Sequence, residues 1–202
     1  MPSRYRVRGP FRRIVRAIAI PLARKGVRPD TITYFSLFLA LIAALSLTLF
    51  NSQVLFAILV FLAGLFDGVD GTIARLNQTS SKKGSFSDSI VDKVAEMLIL
   101  ISIAVAYPTI EILGLSVSLW VILCVFGWLM TSYTRARAEG LEITDLDVGL
   151  GGRSERLLTL VIFSVVGLLL IGLVVVTILG LGTASYRVYH YKQQLSKQSG
   201  TL

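Results

Sequence analysis

Two residue types are nearly missing from this chain of 202 residues: it has one cysteine, Cys124, and one histidine, His190. A lone cysteine inside an apolar run excludes an intrachain disulfide framework and reads as a small core hydrophobe. With so little thiolate and imidazole, a zinc site has no ligand set to draw on. Charge is sparse too, at 16% of residues, and only twelve side chains are acidic. In place of charge stands an apolar share of 54% and a mean hydropathy of +0.73. A soluble domain of this length cannot bury that excess, so it must face lipid. Internal repeats and low-complexity segments are lacking, and a single membrane domain over residues 1–202 is expected. No short apolar core with a small-residue cleavage site follows the basic N-terminus, so a cleavable signal peptide is not expected.

The net charge is +8, and nine of the twenty Lys and Arg fall in the first thirty residues. Beside a membrane span, such a segment reads as attraction to anionic headgroups and as a topology signal. No nucleic-acid recognition motif accompanies it, and nucleic acid is not an expected partner.

Apolar runs over 32–50, 54–76, 85–106 and 115–137 are each long enough to cross a bilayer as a helix. The stretch 156–191 is too long for one span. Split near Ile171 and Gly172, it gives two. The fold class expected is an all-α integral membrane protein with six transmembrane helices and an N-terminal amphipathic interfacial helix. Residues 1–30 form its basic juxtamembrane segment, 31–191 the six-helix core and 192–202 a polar tail. With the N-terminus in the cytoplasm, all twenty Lys and Arg lie on the cytoplasmic side or in adjoining helix ends, as the positive-inside rule requires. The expected location is therefore the cell membrane, multi-pass, with both termini cytoplasmic. In the N-terminal helix Phe11, Ile14, Val15 and Ile18 share one face and Arg12, Arg13 and Arg16 take the other; Pro21 is expected to end or bend it. His190, between Tyr189 and Tyr191, reads as part of an interfacial aromatic belt.

Four aspartates stand in two adjacent spans. Charges inside a membrane cost on the order of 2.5–3.5 kcal/mol each on insertion scales, and so mark function or compensation. Asp67, Asp70, Gly71 and Ala74 fall on one face of the second span by their three- and four-residue spacing; Gly84, Asp88 and Asp92 fall on one face of the third. A short connection lets the two faces meet near the cytoplasmic end. Carboxylates brought together repel, and hard divalent cations relieve this: an all-oxygen set suits Mg²⁺ or Mn²⁺, and a pair of such ions is a known clamp for phosphoryl chemistry. From charge alone, an ion or proton pathway and a structural pairing with Arg75 and Lys93 remain open. Glu96 extends the face of the third span one turn deeper and reads either as a support behind the aspartates or as a partner of Lys93, with no catalytic role.

The string Asp67-Gly68-Val69-Asp70-Gly71-Thr72-Ile73-Ala74-Arg75, eight further residues, and then Gly84-Ser85-Phe86-Ser87-Asp88-Ser89-Ile90-Val91-Asp92 resembles the signature of the CDP-alcohol phosphotransferase family. That signature is D-x2-D-G-x2-A-R-x8-G-x3-D-x3-D, and all eight defined positions and spacings match. The resemblance implies a metal-dependent transferase of phospholipid biosynthesis. Asp67, Asp70, Asp88 and Asp92 would hold two ions, Mg²⁺ or Mn²⁺, and Asp92 would also be the base that activates the acceptor hydroxyl. Gly71, Ala74 and Gly84 would let the CDP donor lie close, and Arg75 would contact its diphosphate. The resemblance further implies a homodimer.

For the acceptor, Tyr133-Thr134-Arg135-Ala136-Arg137-Ala138-Glu139 and Arg153-Ser154-Glu155-Arg156 are similar to the S-Y-x-K-A-R-A-E and R-P-E-R segments of prokaryotic phosphatidylinositol phosphate synthases and their archaeal counterparts. Arg135 stands where that pattern has Lys, and Ser154 where it has Pro. Arg135, Arg137, Arg153 and Arg156 would then bind the phosphate of inositol 1-phosphate. Glycerol 3-phosphate as acceptor, CDP-inositol as donor, and an ion or proton transporter are the alternatives. Whether the donor lipid is acyl or ether is not written in the residues.

Overall fold

The computed structural model describes residues 8–146, 148–149 and 151–199. Residues 1–7 of the basic segment and 200–202 of the polar tail lie outside the described residues. Among those described there are seven helices: α1 Arg8–Arg24, α2 Pro29–Phe50, α3 Gln53–Leu76, α4 Lys82–Ala106, α5 Val117–Glu139, α6 Arg153–Val165 and α7 Leu169–Ser199. A small antiparallel hairpin, β1 Glu111–Ile112 and β2 Leu115–Ser116, joins α4 to α5.

Local chemistry sets the breaks between these helices. Pro29 and Asp30 open α2, where a missing N–H costs nothing and an acid meets the positive end of the helix. Asn51 closes it in a left-handed conformation, φ 49°. Ser81 caps α4 by accepting the N–H of Gly84 at 3.0 Å. The hairpin turns on Leu113 and Gly114, both at positive φ, the pairing that two-residue hairpins favour.

α2 packs against α3 and α4, α3 also against α1 and α6, α4 against α5, and α7 against α5 and α6. The main core cluster is drawn from α2 through α7, including Ala43, Leu47, Phe56, Val60, Leu100, Ile103, Trp128, Leu160 and Leu173. Small residues allow close approach where α2 meets α3, with Ala40, Ala43 and Ala57 fully buried. Outside the core, Phe38, Leu49, Ile58, Val105, Ile122, Phe126, Ile162 and Ile178 are exposed. Such an apolar outer surface fits lipid rather than water as the solvent. At one end of the bundle Gln53 joins three elements: its Nε2 donates to the Tyr107 hydroxyl at 3.0 Å and its Oε1 accepts the N–H of Leu169 at 3.3 Å. The turns at 51–52, 107 and 166–168 are thereby tied at the same end, which carries no Lys or Arg.

Four helices are long and apolar enough to cross a membrane by length and composition: α2, α3, α5 and α7. The other two of the expected six differ for physical reasons. α4 is 25 residues long but carries Asp92, Lys93 and Glu96 within its span. α6 has 13 residues, about 20 Å of helix at 1.5 Å per residue, less than a hydrocarbon core. The break between α6 and α7 falls at 166–168, with Gly167 at φ +76°, not at Ile171 and Gly172. Gly172 instead lies inside α7 against Phe163, where an added Cβ would meet that residue's Cβ at 2.6 Å. It serves close packing; Gly167 makes the turn.

The N-terminal helix also departs from expectation. It continues through Pro21 to Arg24, because a proline in the last turn removes only one ladder bond. Val15, Ile18, Ala19 and Leu22 pack on Val69 and Ile73 of α3 and on Ile32. The Phe11 and Phe61 rings lie 5.8 Å apart. Much of the apolar face assigned to the bilayer interface is therefore spent on the helix that bears Asp67 and Asp70, while Ile14 stays exposed.

Candidate active site and metal centre

The antiparallel pair α3 and α4 brings the aspartate faces together as their spacing predicts. Asp67, Asp88 and Asp92 each present a carboxylate oxygen, and the three atoms lie within 4.8 Å of one another. Asp70 is held differently. Its carboxylate is buried, one oxygen accepting the Thr33 hydroxyl of α2 at 2.6 Å and the other the N–H of Gly71.

Arg153, at the first turn of α6, enters the triad from the opposite side. Its Nη1 lies 2.5 Å from Asp67 Oδ2, its Nη2 2.9 Å from Asp92 Oδ1 and its Nε 3.1 Å from Glu96 Oε1. Glu96, 1% exposed, also pairs with Lys93 at 2.6 Å. This guanidinium offsets the repulsion that clustered carboxylates would otherwise suffer. One oxygen, Asp88 Oδ1, is buried with no hydrogen-bond partner. An all-oxygen donor set with an unpartnered buried carboxylate oxygen fits a hard divalent cation such as Mg²⁺ or Mn²⁺.

Beside the triad opens a cavity of about 1270 Å³, lined by Asp67, Gly68 and Thr72 of α3, Ser85, Ser89 and Asp92 of α4, and Phe11 and Arg12 of α1. Basic side chains dominate its charged lining: Arg12, Arg75, Lys93, Arg135, Arg153, Arg156 and Arg187 outnumber Asp67, Asp92 and Glu139. The volume exceeds the few hundred to a thousand cubic ångström of an ordinary small-molecule pocket, and its charge suits phosphorylated ligands.

Arg156 is buried, stacked with its guanidinium carbon 4.4 Å from the centre of the Trp128 ring, and its Nε and Nη1 have no hydrogen-bond partner. Buried cations with unspent donors beside a cavity are costly unless an anion completes them. Arg187 of α7 is also buried. Its Nε donates to Val148 O at 3.0 Å and its Nη1 to Thr131 O at 2.5 Å.

Of the positions singled out in the sequence, Asp67, Asp92, Arg75, Arg135, Arg153 and Arg156 line the cavity. Asp88 joins the triad, while Arg137 is exposed and outside that lining. Gly71, Ala74 and Gly84 also stand outside it; Gly71 lies over the Arg75 guanidinium, where an added Cβ would be 3.5 Å from Nη1. Arg75 Nη2 donates to the Thr72 hydroxyl at 3.1 Å. His190 is away from the cavity, 3.4 Å from Asp145. Sequence reasoning passed over Arg187 and Thr33. A lone arginine inside the long apolar stretch was a signal for the first; nothing local marks Thr33, whose partner is 37 residues away.

A family model described as CDP-alcohol phosphatidyltransferase matches residues 27–188. An archaetidylinositol phosphate synthase from Pyrococcus horikoshii is 32% identical over 192 residues, covering 95% of this chain and 96% of its own. A phosphatidylinositol phosphate synthase from Mycobacteroides abscessus is 32% identical over 150 residues, covering 73% and 66%. The crystal structure of Mycobacterium tuberculosis phosphatidylinositol phosphate synthase (PgsA1) with CDP-DAG bound matches at a TM-score of 0.74 and 23% identity, over 89% of this chain and 94% of that one. The same protein with manganese and citrate matches at 0.75 and 22%, over 88% of each. At these identities the likeness to the solved structures is one of fold.

Proposed function

This chain belongs to the CDP-alcohol phosphatidyltransferase family, and on that premise we propose that it transfers the phosphatidyl-type group of a CDP-lipid to inositol 1-phosphate, releasing CMP. The observation that carries this reading is the convergence of Asp67, Asp88 and Asp92 within 4.8 Å beside a large cavity rich in arginine. Two relatives are by name an archaetidylinositol phosphate synthase and a phosphatidylinositol phosphate synthase, which supports an inositol phosphate acceptor.

The chemistry follows from the side chains. Asp67, Asp88 and Asp92 would hold the ions, with Asp70 completing the set once it leaves Thr33; two are proposed, Mg²⁺ or Mn²⁺. When bound, such ions neutralise the donor diphosphate and stabilise CMP as leaving group. Arg75 binds the donor diphosphate through its forked donors. Its guanidinium, which now lies over Gly71, moves aside so that the cytidine lies close to α3 at Gly71 and Ala74, with Gly84 permitting close approach at the start of α4. Arg135, Arg153 and Arg156, with Arg187, bind the acceptor phosphate; Arg137 assists from the exposed face of α5. Asp92 takes the proton from the acceptor hydroxyl, whose oxygen then attacks the lipid-bearing phosphorus while the bond to CMP breaks.

The test is CMP release by purified protein with Mg²⁺ and CDP-diacylglycerol or CDP-archaeol. Inositol 1-phosphate is expected to support release, and glycerol 3-phosphate or serine to support little. Turnover with glycerol 3-phosphate alone would overturn the acceptor assignment and leave the transferase chemistry intact.

The same proposal extends to the frame: a single domain over 1–202 with six crossings, α1 at the interface, and the active site at the cytoplasmic face of the cell membrane. α6 is short because it starts at the triad, already below the surface, so that its 13 residues need only reach the far side. A homodimer is part of this reading. Sided thiol labelling checks the topology. Leu113→Cys, at a residue 81% exposed in the hairpin, is expected to react with an impermeant maleimide from outside the cell. Gln78→Cys, in the loop between α3 and α4, is expected to react only after permeabilisation. Cys124 is buried and stays silent.

A further inference from the structure

Arg153 stands where the proposed chemistry needs open ligands. Its three nitrogens each face a different carboxylate: Asp67 at 2.5 Å, Asp92 at 2.9 Å and Glu96 at 3.1 Å. The first two belong to the proposed metal site, where the guanidinium takes up lone pairs and adds a positive charge that opposes an entering divalent cation. Glu96 is different. It lies one helical turn beyond Asp92, is 1% exposed, and keeps Lys93 as a second partner at 2.6 Å.

We propose that Arg153 is an internal competitor for the metal site, covering Asp67 and Asp92 while no ion is bound and released from them, still tethered to Glu96, when ions enter. The inference rests on the metal reading of the triad given above. Its physical basis is charge balance: clustered, half-buried carboxylates without a cation would be disfavoured, and so would a half-buried guanidinium, 22% exposed, without a carboxylate. Exchange of one cation for another leaves neither state uncompensated. The Glu96 contact uses Nε, whereas the contacts given up use Nη1 and Nη2. The released guanidinium therefore keeps its anchor and turns its two Nη groups to the cavity, the forked arrangement that grips a phosphate. Ion binding thus frees a phosphate ligand, and phosphate binding draws the competitor off the carboxylates. Each tightens the other, as linkage requires.

Mn²⁺ affinity, read from the free-ion EPR signal of the detergent-purified protein, tests the competition without turnover. Arg153→Gln is expected to bind Mn²⁺ about tenfold more tightly than wild type, equivalent to ~1.4 kcal/mol. Arg156→Gln removes the same charge from the same helix, but its guanidinium stacks on Trp128, and the Mn²⁺ affinity is expected to change little. Equal tightening in both variants, or none in Arg153→Gln, overturns the competition while leaving the metal site in place. Failure of wild type and Arg153→Gln alike to bind Mn²⁺ overturns the metal reading and the inference together. A second measurement needs no variant. Phenylglyoxal modification of Arg153 in the wild-type protein, followed by peptide mass spectrometry, is expected to quicken when Mn²⁺ is added; unchanged or slower labelling overturns the proposal.

Discussion

Asp92→Asn is expected to lower CMP release by about 10²–10⁴-fold, the range for losing a general base, in a protein that still folds. Asparagine keeps the shape of the side chain, and its oxygen can occupy the place 2.9 Å from Arg153 Nη2 where Asp92 Oδ1 now forms an ion pair. What it lacks is basicity and a unit of negative charge. Asp88→Asn provides the comparison, because Asp88 contributes to the triad without a proposed role in proton transfer. Raised Mn²⁺ is expected to restore much of the activity of Asp88→Asn, since mass action compensates for a weakened ligand set. It is not expected to restore the base missing from Asp92→Asn, whose residual rate should instead climb with pH as hydroxide replaces the carboxylate. Steady-state CMP release over a matrix of pH and Mn²⁺ concentration measures both. A rate within about threefold of wild type in Asp92→Asn would remove this residue from proton transfer, given the size of general-base effects.

How well the sequence announces these features depends on how far apart the interacting residues lie. The triad was legible because both of its faces obey helical spacing and the connection between them is only a few residues long; two local patterns and one short loop suffice to bring Asp67 to Asp88 and Asp92. Three spans, α2, α3 and α5, were legible from long apolar runs. The run at 85–106 reads the same way, but α4 is not among the helices apolar enough by composition, and the fourth such helix, α7, lay within 156–191. The division of 156–191 was not, because glycine has two uses. Gly167 adopts a positive φ and Gly172 admits Phe163, and the two are indistinguishable in a string. Arg153 was assigned a phosphate from its neighbours in sequence, yet its present partners, Asp67, Asp92 and Glu96, lie on two other helices. Spacing carries no information about such a contact. The same holds for Thr33 beneath Asp70, and for α1, whose amphipathic pattern announces a buried stripe without saying whether lipid or α3 will cover it.

Gly127→Leu is expected to be strongly damaging although it lies outside the carboxylates. An added Cβ at Gly127 would lie 2.9 Å from the backbone nitrogen of Leu181 and 3.1 Å from the carbonyl carbon of Gly180; one at Gly180 would meet Trp128 Cδ1 at 2.8 Å. The opposing atoms at Gly127 include backbone, so no rotamer change relieves the clash and α5 and α7 must move apart. Overpacking of this kind costs about 1–3 kcal/mol, which for a chain of this size lowers Tm by roughly 2–12 °C. The separation also reaches the cavity. Thr131, one turn after Gly127, donates to Gly180 O at 3.1 Å and receives Arg187 at its own carbonyl, while Trp128 supports Arg156. Both arginines lose their seating, so KM for the phosphorylated acceptor is expected to rise more than kcat falls. Thermal unfolding in detergent and a KM–kcat comparison check the two halves separately. Gly182→Ala is the control: it lies on α7, the helix that Gly127 packs against, with nothing within 4 Å of an added Cβ, and it exchanges a poor helix former for the best one. It should melt no lower than wild type, and if it melts as low as Gly127→Leu, the close crossing of α5 and α7 is not what holds these helices together.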